Sequence, residues 1–158
     1  MATAGLSSLG ITFSYGVETT AGEKPTSFKL LTRINEIAEV TVEPESIDAS
    51  ALEDSRTRNV AGRDTVTDSV AVTVNRTAET IKEWADLITA YKGLSGGKRM
   101  WFQEITPTLD DAEFFVAQPP SILPISGKGQ NELLTMEINL IIEEMIGTSA
   151  KVEPTSGE

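Results

Sequence analysis

The chain has 158 residues, a formal net charge of −11, and neither histidine nor cysteine. This length suits one domain with its own core, and 39% hydrophobic with 23% charged residues is typical of a folded globular protein. Without imidazole or thiol groups, histidine-dependent triads, Cys/His zinc sites and disulfides are excluded. We therefore expect a single domain over residues 1–158 with no catalytic, metal or cofactor site.

The N-terminal part is predicted to combine a polar arm with half-buried strands. Residues 1–12 are small and polar and contain no basic run or long apolar stretch, which favours an arm and argues against a signal peptide or a membrane span. Between 28 and 43, many apolar residues stand at even positions, namely Phe28, Leu30, Ile34, Ala38, Val40 and Val42. Polar residues stand at several odd positions, namely Arg33, Asn35, Glu39, Thr41 and Glu43. This period of two predicts one or two strands that bury one face, and Pro44 is expected to end them.

Residues 44–63 show no sustained period and are predicted to form a long loop. Loops of this length in a compact domain are usually functional or disordered. A solvated hairpin tip would explain the charges, but its apolar side chains favour docking on a neighbour. The candidate contact residues are Ile47, Leu52, Arg56, Arg58, Val60 and Arg63.

A strand followed at once by a helix is predicted over residues 65–92. Valines alternate with Thr, Ser and Ala up to position 74, which indicates a strand. The helix is expected at 77–92, and Asn75 to Thr77 offer a cap. Thr80 and Glu83 have the spacing of a capping box for a helix that starts slightly later. Four apolar side chains at helical spacing are expected to pack on the sheet, namely Ile81, Trp84, Ile88 and Tyr91.

The C-terminal half is predicted to hold further strands. Residues 98–106 and 112–117 each indicate a short strand, and the three prolines within 118–130 indicate an edge or crossing segment. Residues 131–147 alternate as one long strand, although a helix is also compatible with their composition. Residues 148–158 are expected to form a flexible tail.

Taken together, these elements predict a mainly β, α+β fold: an antiparallel β-sandwich or barrel of about six to eight strands with one flanking α-helix.

Carboxylates are the remaining groups that could do acid–base chemistry. Asp110, Asp111 and Glu113 cluster in a TLDDAE turn, where acidic residues are favoured as turn formers. An acidic hydrolase stays open as an alternative, because paired carboxylates need to be close only in space. Trp101, next to a short basic stretch, leaves a second alternative, a monomeric β-sandwich module that binds carbohydrate or a surface receptor.

Three stretches of the sequence carry a resemblance to a known family. They are ESIDASALEDSRTRNVAGRDTVTDSVAVTV at 45–74, TAETIKEWADLI at 77–88 and FFVAQPPSILPISGKGQNELLTMEINLII at 114–142. In this order, the loop, strand, helix, crossing segment and long final strand resemble the phage major tail tube proteins of long-tailed phages. That family is related to the tubes of contractile tails and injection systems.

The resemblance implies a structural protein of the virion, assembled in the host bacterial cytoplasm. Six copies would form a ring, and stacked rings would form the hollow tube through which double-stranded DNA passes at ejection. The implied partners are other copies of the chain, a tape-measure protein and tail completion or tip proteins, with no cofactor and no membrane. Whether the tail is flexible or sheathed is left open.

The resemblance also assigns roles to charged residues. The tube lumen of the family tends to be acidic, and Glu39, Asp68 and Glu137 are the candidates to line it. The arginines of the 44–63 loop are expected to pair with acidic residues of the adjacent ring. The candidate acids are Asp110, Asp111, Glu143 and Glu144.

Overall fold

A computed structural model describes residues 9–155 of the chain. This part contains nine strands and one helix. The elements are β1 (Thr12–Val17), β2 (Lys29–Leu31), β3 (Ile34–Ile37), β4 (Val42–Asp48), β5 (Asn59–Val66), β6 (Ser69–Asn75), α1 (Ala78–Lys92), β7 (Met100–Ile105), β8 (Asp111–Gln118) and β9 (Thr135–Ala150).

Seven strands form one antiparallel sheet in the order β2-β1-β7-β8-β9-β6-β3, and β4 and β5 form a separate two-stranded sheet. This arrangement confirms the prediction of a mainly β, antiparallel sandwich with a flanking helix. The strand count exceeds the predicted six to eight. β1 was not anticipated, and its first residue, Thr12, already lies within the arm predicted over 1–12. Residues 1–8 of that arm lie outside the described chain.

Strand β9 joins the two halves of the large sheet. Its first part pairs with β6 from Thr135 to Ile141, and its second part pairs with β8 from Ile141 to Ala150. Because β8 and β6 lie on opposite sides of β9, only the middle of β9 has strand neighbours on both edges. The pairing with β8 shows two register shifts, which are typical of a bent strand. The helix that remained compatible with 131–147 does not form.

The core occupies both faces of the sheet. Because side chains alternate along a strand, Phe102 of β7 points into a large cluster under α1, and Trp101 points into a second cluster on the opposite face. In the large cluster Phe102 stacks between Phe13 and Phe115, with ring centroids 5.5 and 5.4 Å apart. The second cluster centres on Phe114. Two apolar faces explain why β7 and β8 are almost continuously buried.

The helix is capped by Thr77, as the sequence predicts, but the capping box pairs Thr77 with Thr80 and not Thr80 with Glu83. The Thr77 hydroxyl accepts a hydrogen bond from the Thr80 backbone N–H, and the Thr80 hydroxyl accepts one from the Thr77 N–H. Glu83 is not the capping partner. Its carboxylate instead accepts hydrogen bonds of 3.0 and 2.9 Å from the backbone and hydroxyl of Thr32, which ties the helix to the segment after β2.

The apolar stripe of α1 faces the large cluster. Trp84 and Ile88 are buried, whereas Ile81 and Tyr91 are partly buried at its margin. Leu87, which the predicted stripe omits, is fully buried as well. Among the described residues, no helix is long and apolar enough to cross a membrane.

The segment predicted as a flexible tail, 148–158, is held in the fold as far as Thr155. The backbone N–H and C=O of Val152 both form 2.8 Å hydrogen bonds with the buried side-chain amide of Gln103. Thr155 donates its backbone N–H to the carbonyl of Phe28 at 2.8 Å. The segment therefore covers the second cluster and the outer edge of β2.

Gly16 of β1 permits a close approach of the chain that no other residue would allow. A Cβ atom at this position would lie 2.6 Å from the backbone oxygen of Ser27. Gly16→Ala should therefore lower the free energy of unfolding by about 1–3 kcal/mol through overpacking, measured by urea denaturation. Gly127→Ala is the matched control, because nothing lies within 4 Å of a Cβ there. Equal urea midpoints for both variants would contradict the close contact between Gly16 and the backbone of Ser27.

Candidate functional site

The β4–β5 hairpin projects from the body of the protein. No residue of either strand is buried, and the two strands pair only with each other. At about 3.3 Å per residue, the seven residues of β4 extend about 23 Å. Half of the segment predicted as a loop, 44–63, is therefore strand. It lacks a period of two because neither face is buried, and Pro44 lies within β4, next to a register shift, and does not end a strand.

The tip of the hairpin is fixed by its own polar contacts. Arg58 pairs through Nε with the Asp54 carboxylate at 3.1 Å, and the Arg58 backbone N–H donates to the Ser50 hydroxyl at 2.7 Å. Asp48 accepts a 2.9 Å hydrogen bond from the Ser50 backbone, and this bond lowers the pKa of the Asp48 carboxyl. Arg58 is thus engaged within its own chain. Arg56 and Arg63 are exposed and form no ion pair with any residue in 9–155.

Apolar side chains stand exposed along the hairpin. Ile47 and Val60 are cross-strand neighbours and are 47% and 52% exposed, and Leu52 at the tip is fully exposed. Val42 near the base was predicted to lie on the buried face of a strand, but it is 45% exposed, because neither face of β4 is covered. A hairpin that remained in solvent would gain nothing from these four side chains. They indicate a surface that another element covers.

Strands β6 and β9 present an open polar face opposite the large cluster. Glu137 is exposed there and lies next to Thr73, and the exposed Asn139 lies next to Ala71. Asp68 lies at the end of this face, in the turn before β6, where its carbonyl accepts a 3.0 Å hydrogen bond from the Ile142 N–H. Of the three predicted lumen residues, Glu137 therefore lies on this face and Asp68 adjoins it.

The third predicted lumen residue, Glu39, lies in a different place. It lines a cavity of about 240 Å³ together with Glu104 and Glu113, which are direct neighbours on β7 and β8. Burial and the charge of Glu113 raise the pKa of the Glu104 carboxyl. No sequence pattern pointed to Glu104, because it lies inside a strand whose other residues are buried.

A buried carboxylate fixes the start of β7. Glu18 is 2% exposed and accepts hydrogen bonds from Trp101 Nε1 at 2.8 Å, the Arg99 N–H at 2.7 Å and the Gly22 N–H at 3.2 Å. Burial raises the pKa of Glu18, but these bonds and the charge of Arg99 outweigh it, so the pKa is lowered. Arg99 also forms an ion pair with Glu144. Glu144, proposed from the sequence as a partner for another ring, thus has a partner within the chain.

The position of Trp101 bears on the binding-module alternative. Its ring is 5% exposed and packs edge-on against Phe114 at a centroid distance of 6.1 Å. It therefore belongs to the core and offers no platform on which a sugar or base could stack. In the described part of the chain, no three acidic side chains are grouped so as to hold a metal ion.

Comparison with protein families and with curated proteins finds no match. Solved structures do match. A chain of the six-fold symmetrised cryo-EM baseplate of the anti-feeding prophage (AFP) aligns with a TM-score of 0.55 and 14% identity, covering 95% of this chain and 98% of that one. A chain from the tail of an empty GTA particle, refined with helical C6 symmetry, aligns with a TM-score of 0.55 and 14% identity over 89% and 95%. The protein shares the fold of these two chains.

The Glu104–Glu113 pair should make stability depend on pH. Because the pKa of Glu104 is raised in the folded state, its ionisation destabilises the fold, and this penalty grows as the pH rises above the ordinary value of 4.5. Glu104→Gln should therefore give a higher urea midpoint than the wild type at pH 7 and the same midpoint near pH 4. Glu53→Gln at the exposed hairpin tip is the control. A lower midpoint for Glu104→Gln at pH 7 would refute the assignment.

Proposed function

We propose that this protein is the building block of a phage-type tail tube, in which six copies form a ring and the rings stack. In this role it is a structural component of the virion and has no enzymatic activity. The observation that carries the proposal is the projecting β4–β5 hairpin with its exposed apolar side chains. The hairpin fits the role of the element that binds one ring to the next, with Ile47, Leu52 and Val60 as its apolar contacts.

Open strand edges support assembly into closed rings. β3 is an outermost strand of the large sheet, and β9 has a strand neighbour on both edges only at its centre. Unpaired edges promote uncontrolled aggregation unless they are covered. A head-to-tail contact that closes after six copies covers every such edge in the same way. The two structural neighbours come from particles with six-fold symmetry.

The charge distribution suits a passage for DNA. The net charge is −11, and the open face of β6 and β9 carries Glu137 with small polar neighbours. A wall of this kind offers no cations to replace the counterions of the phosphate backbone, so double-stranded DNA would pass without binding. We assign Glu137 and Asp68 to the lumen. Glu39 fits a position in the lumen less well, because it lines the cavity beside Glu104.

The remaining partners follow from this role. A tape-measure protein would occupy the lumen during assembly, and tail completion and tip proteins would bind the ends of the tube. Assembly would take place in the cytoplasm of the bacterial host. We assign the exposed Arg56 and Arg63 to contacts between rings. Arg58 is not assigned to such a contact, because it already forms an ion pair with Asp54.

Electron microscopy of the purified protein tests the proposal. We expect six-fold rings or hollow tubes at high protein concentration. Only an assembly would cover the exposed apolar side chains of the hairpin and the unpaired edges of the strands. Sedimentation velocity on the same sample should show large species. A monodisperse monomer at high concentration, even with tail-tip complexes present, would overturn the proposed function.

The hairpin contact can be tested separately with Leu52→Asp. Burying a leucine side chain stabilises a contact by about 1.5–3 kcal/mol, so its loss should raise the critical concentration for tubes by about tenfold or more. Circular dichroism should show a folded subunit, because Leu52 contacts no core residue. Lys82→Asp, which places the same side chain at an exposed position of α1, is the control. Tubes of unchanged length from Leu52→Asp would contradict the role of the hairpin.

A further inference from the structure

The two ends of the large sheet nearly meet. β2 and β3 are its outermost strands, yet only Thr32 and Arg33 separate them in the chain. The sheet must therefore curl until its edges approach each other, and Arg33 makes the connection in the left-handed region at φ 58°. No backbone pairing joins β2 to β3 within the described chain. The seam is left as an open groove of about 620 Å³.

The lining of this groove combines apolar and polar residues in about equal measure, and its acidic side chains are Glu36 and Glu104. Phe13, Leu31, Ile34 and Ile37 contribute its apolar side chains. Leu31 and Phe13 are core residues, whereas Ile34 and Ile37 are only partly buried, so apolar surface remains accessible at the seam. Within residues 9–155 no side chain fills this recess, and an accessible recess with apolar side chains is a typical site for a protruding segment of another molecule.

The charges around the groove are mostly negative. Glu36 and Glu104 line it, and Arg33 is the one cation among its lining residues. The adjoining cavity shares Glu104 and adds Glu39 and Glu113. The two recesses together therefore hold four carboxylates and one guanidinium group. An occupant that combines an apolar side chain with a free positive charge would suit this surface.

The tip of the β4–β5 hairpin has this combination. Leu52 is fully exposed, and Arg56, four residues later, forms no ion pair with any residue in 9–155. The polar contacts that fix the tip, such as the Arg58–Asp54 pair, lie within the hairpin. Because β4 extends about 23 Å from the body, the tip is positioned to reach another molecule.

We propose that the groove between β2 and β3 receives the β4–β5 hairpin tip of a second copy of this chain. Leu52 packs against Ile34 and Ile37, and Arg56 binds the carboxylates of Glu36 and Glu104. This inference rests on the proposed self-assembly and identifies the surface on which the hairpin docks. Each subunit then carries a tip and a receptor, so the contact repeats from ring to ring along the tube.

Cysteine cross-linking tests the contact directly, because the chain has no cysteine of its own. Leu52→Cys and Glu36→Cys subunits are mixed before assembly and treated with a short bismaleimide. We expect a covalent dimer on a denaturing gel from the mixture and none from either variant alone. Leu52→Cys mixed with Lys82→Cys is the control, since Lys82 is exposed on α1 and is not among the residues that line the groove.

Two outcomes separate this inference from the proposed function. If electron microscopy shows tubes but positions 52 and 36 cross-link no better than 52 and 82, the receptor groove is wrong and tube formation stands. If neither tubes nor rings form, the proposed function and the groove contact are both refuted.

Charge reversal gives an independent test. Arg56→Glu and Glu36→Arg should each raise the critical concentration for tubes by about tenfold, and the double variant should return to within about threefold of the wild type. Arg56→Glu combined with Glu53→Arg restores the same net charge on the hairpin itself and should not restore assembly. Equal recovery in both double variants would show that net charge, and not this contact, controls assembly.

Discussion

The backbone pairing of β9 is the constraint on which the rest of the structure depends. One half of the strand pairs with β6 and the other half with β8, on opposite edges. The register shifts in its pairing with β8 are typical of a bent strand, and in this curled sheet β2 and β3 come close to each other. The open polar face and the groove both depend on this arrangement. A straight sheet with the same side chains would have two distant edges and no groove.

Strands and helices could be predicted where one face is buried and the other is exposed, because apolar residues then recur with the period of the element. β6 and the first half of β9 have one buried and one open face, so their alternation could be read from the sequence. The helix α1 was indicated by an apolar stripe that includes the buried Trp84 and Ile88. The prediction failed where burial is uniform. The hairpin is exposed on both faces and β1 is buried at four successive positions, so neither shows a period of two. Residues after β9 looked like a tail because the sequence cannot show that the side chain of Gln103 pairs with their backbone.

The candidate site was predictable in part for related reasons. Exposed apolar residues in a polar segment, such as Ile47 and Leu52, can be recognised in a sequence without any structure. Ion pairs between side chains cannot be recognised in this way. Arg58 and Glu144 both looked available for another subunit, and both are engaged within the chain by residues that only the fold brings near. The groove could not be predicted from the sequence either. It forms between β2 and β3, which are successive in the chain but lie at opposite ends of the sheet order.

The hydrogen bond between Thr155 and Phe28 has a consequence for the order in which the chain folds. These residues are 127 positions apart, whereas α1 and the hairpin consist of contacts between near neighbours in the sequence. Long-range contacts form only after the entropy of closing the intervening chain has been overcome, so we expect the edge at β2 to be completed last. A nascent subunit would then display its hairpin before its groove exists. Pulse-labelling hydrogen exchange would show this as early protection in α1 and late protection at Leu30. Incompletely folded chains would be unable to receive a neighbour, which gives assembly a built-in check on folding.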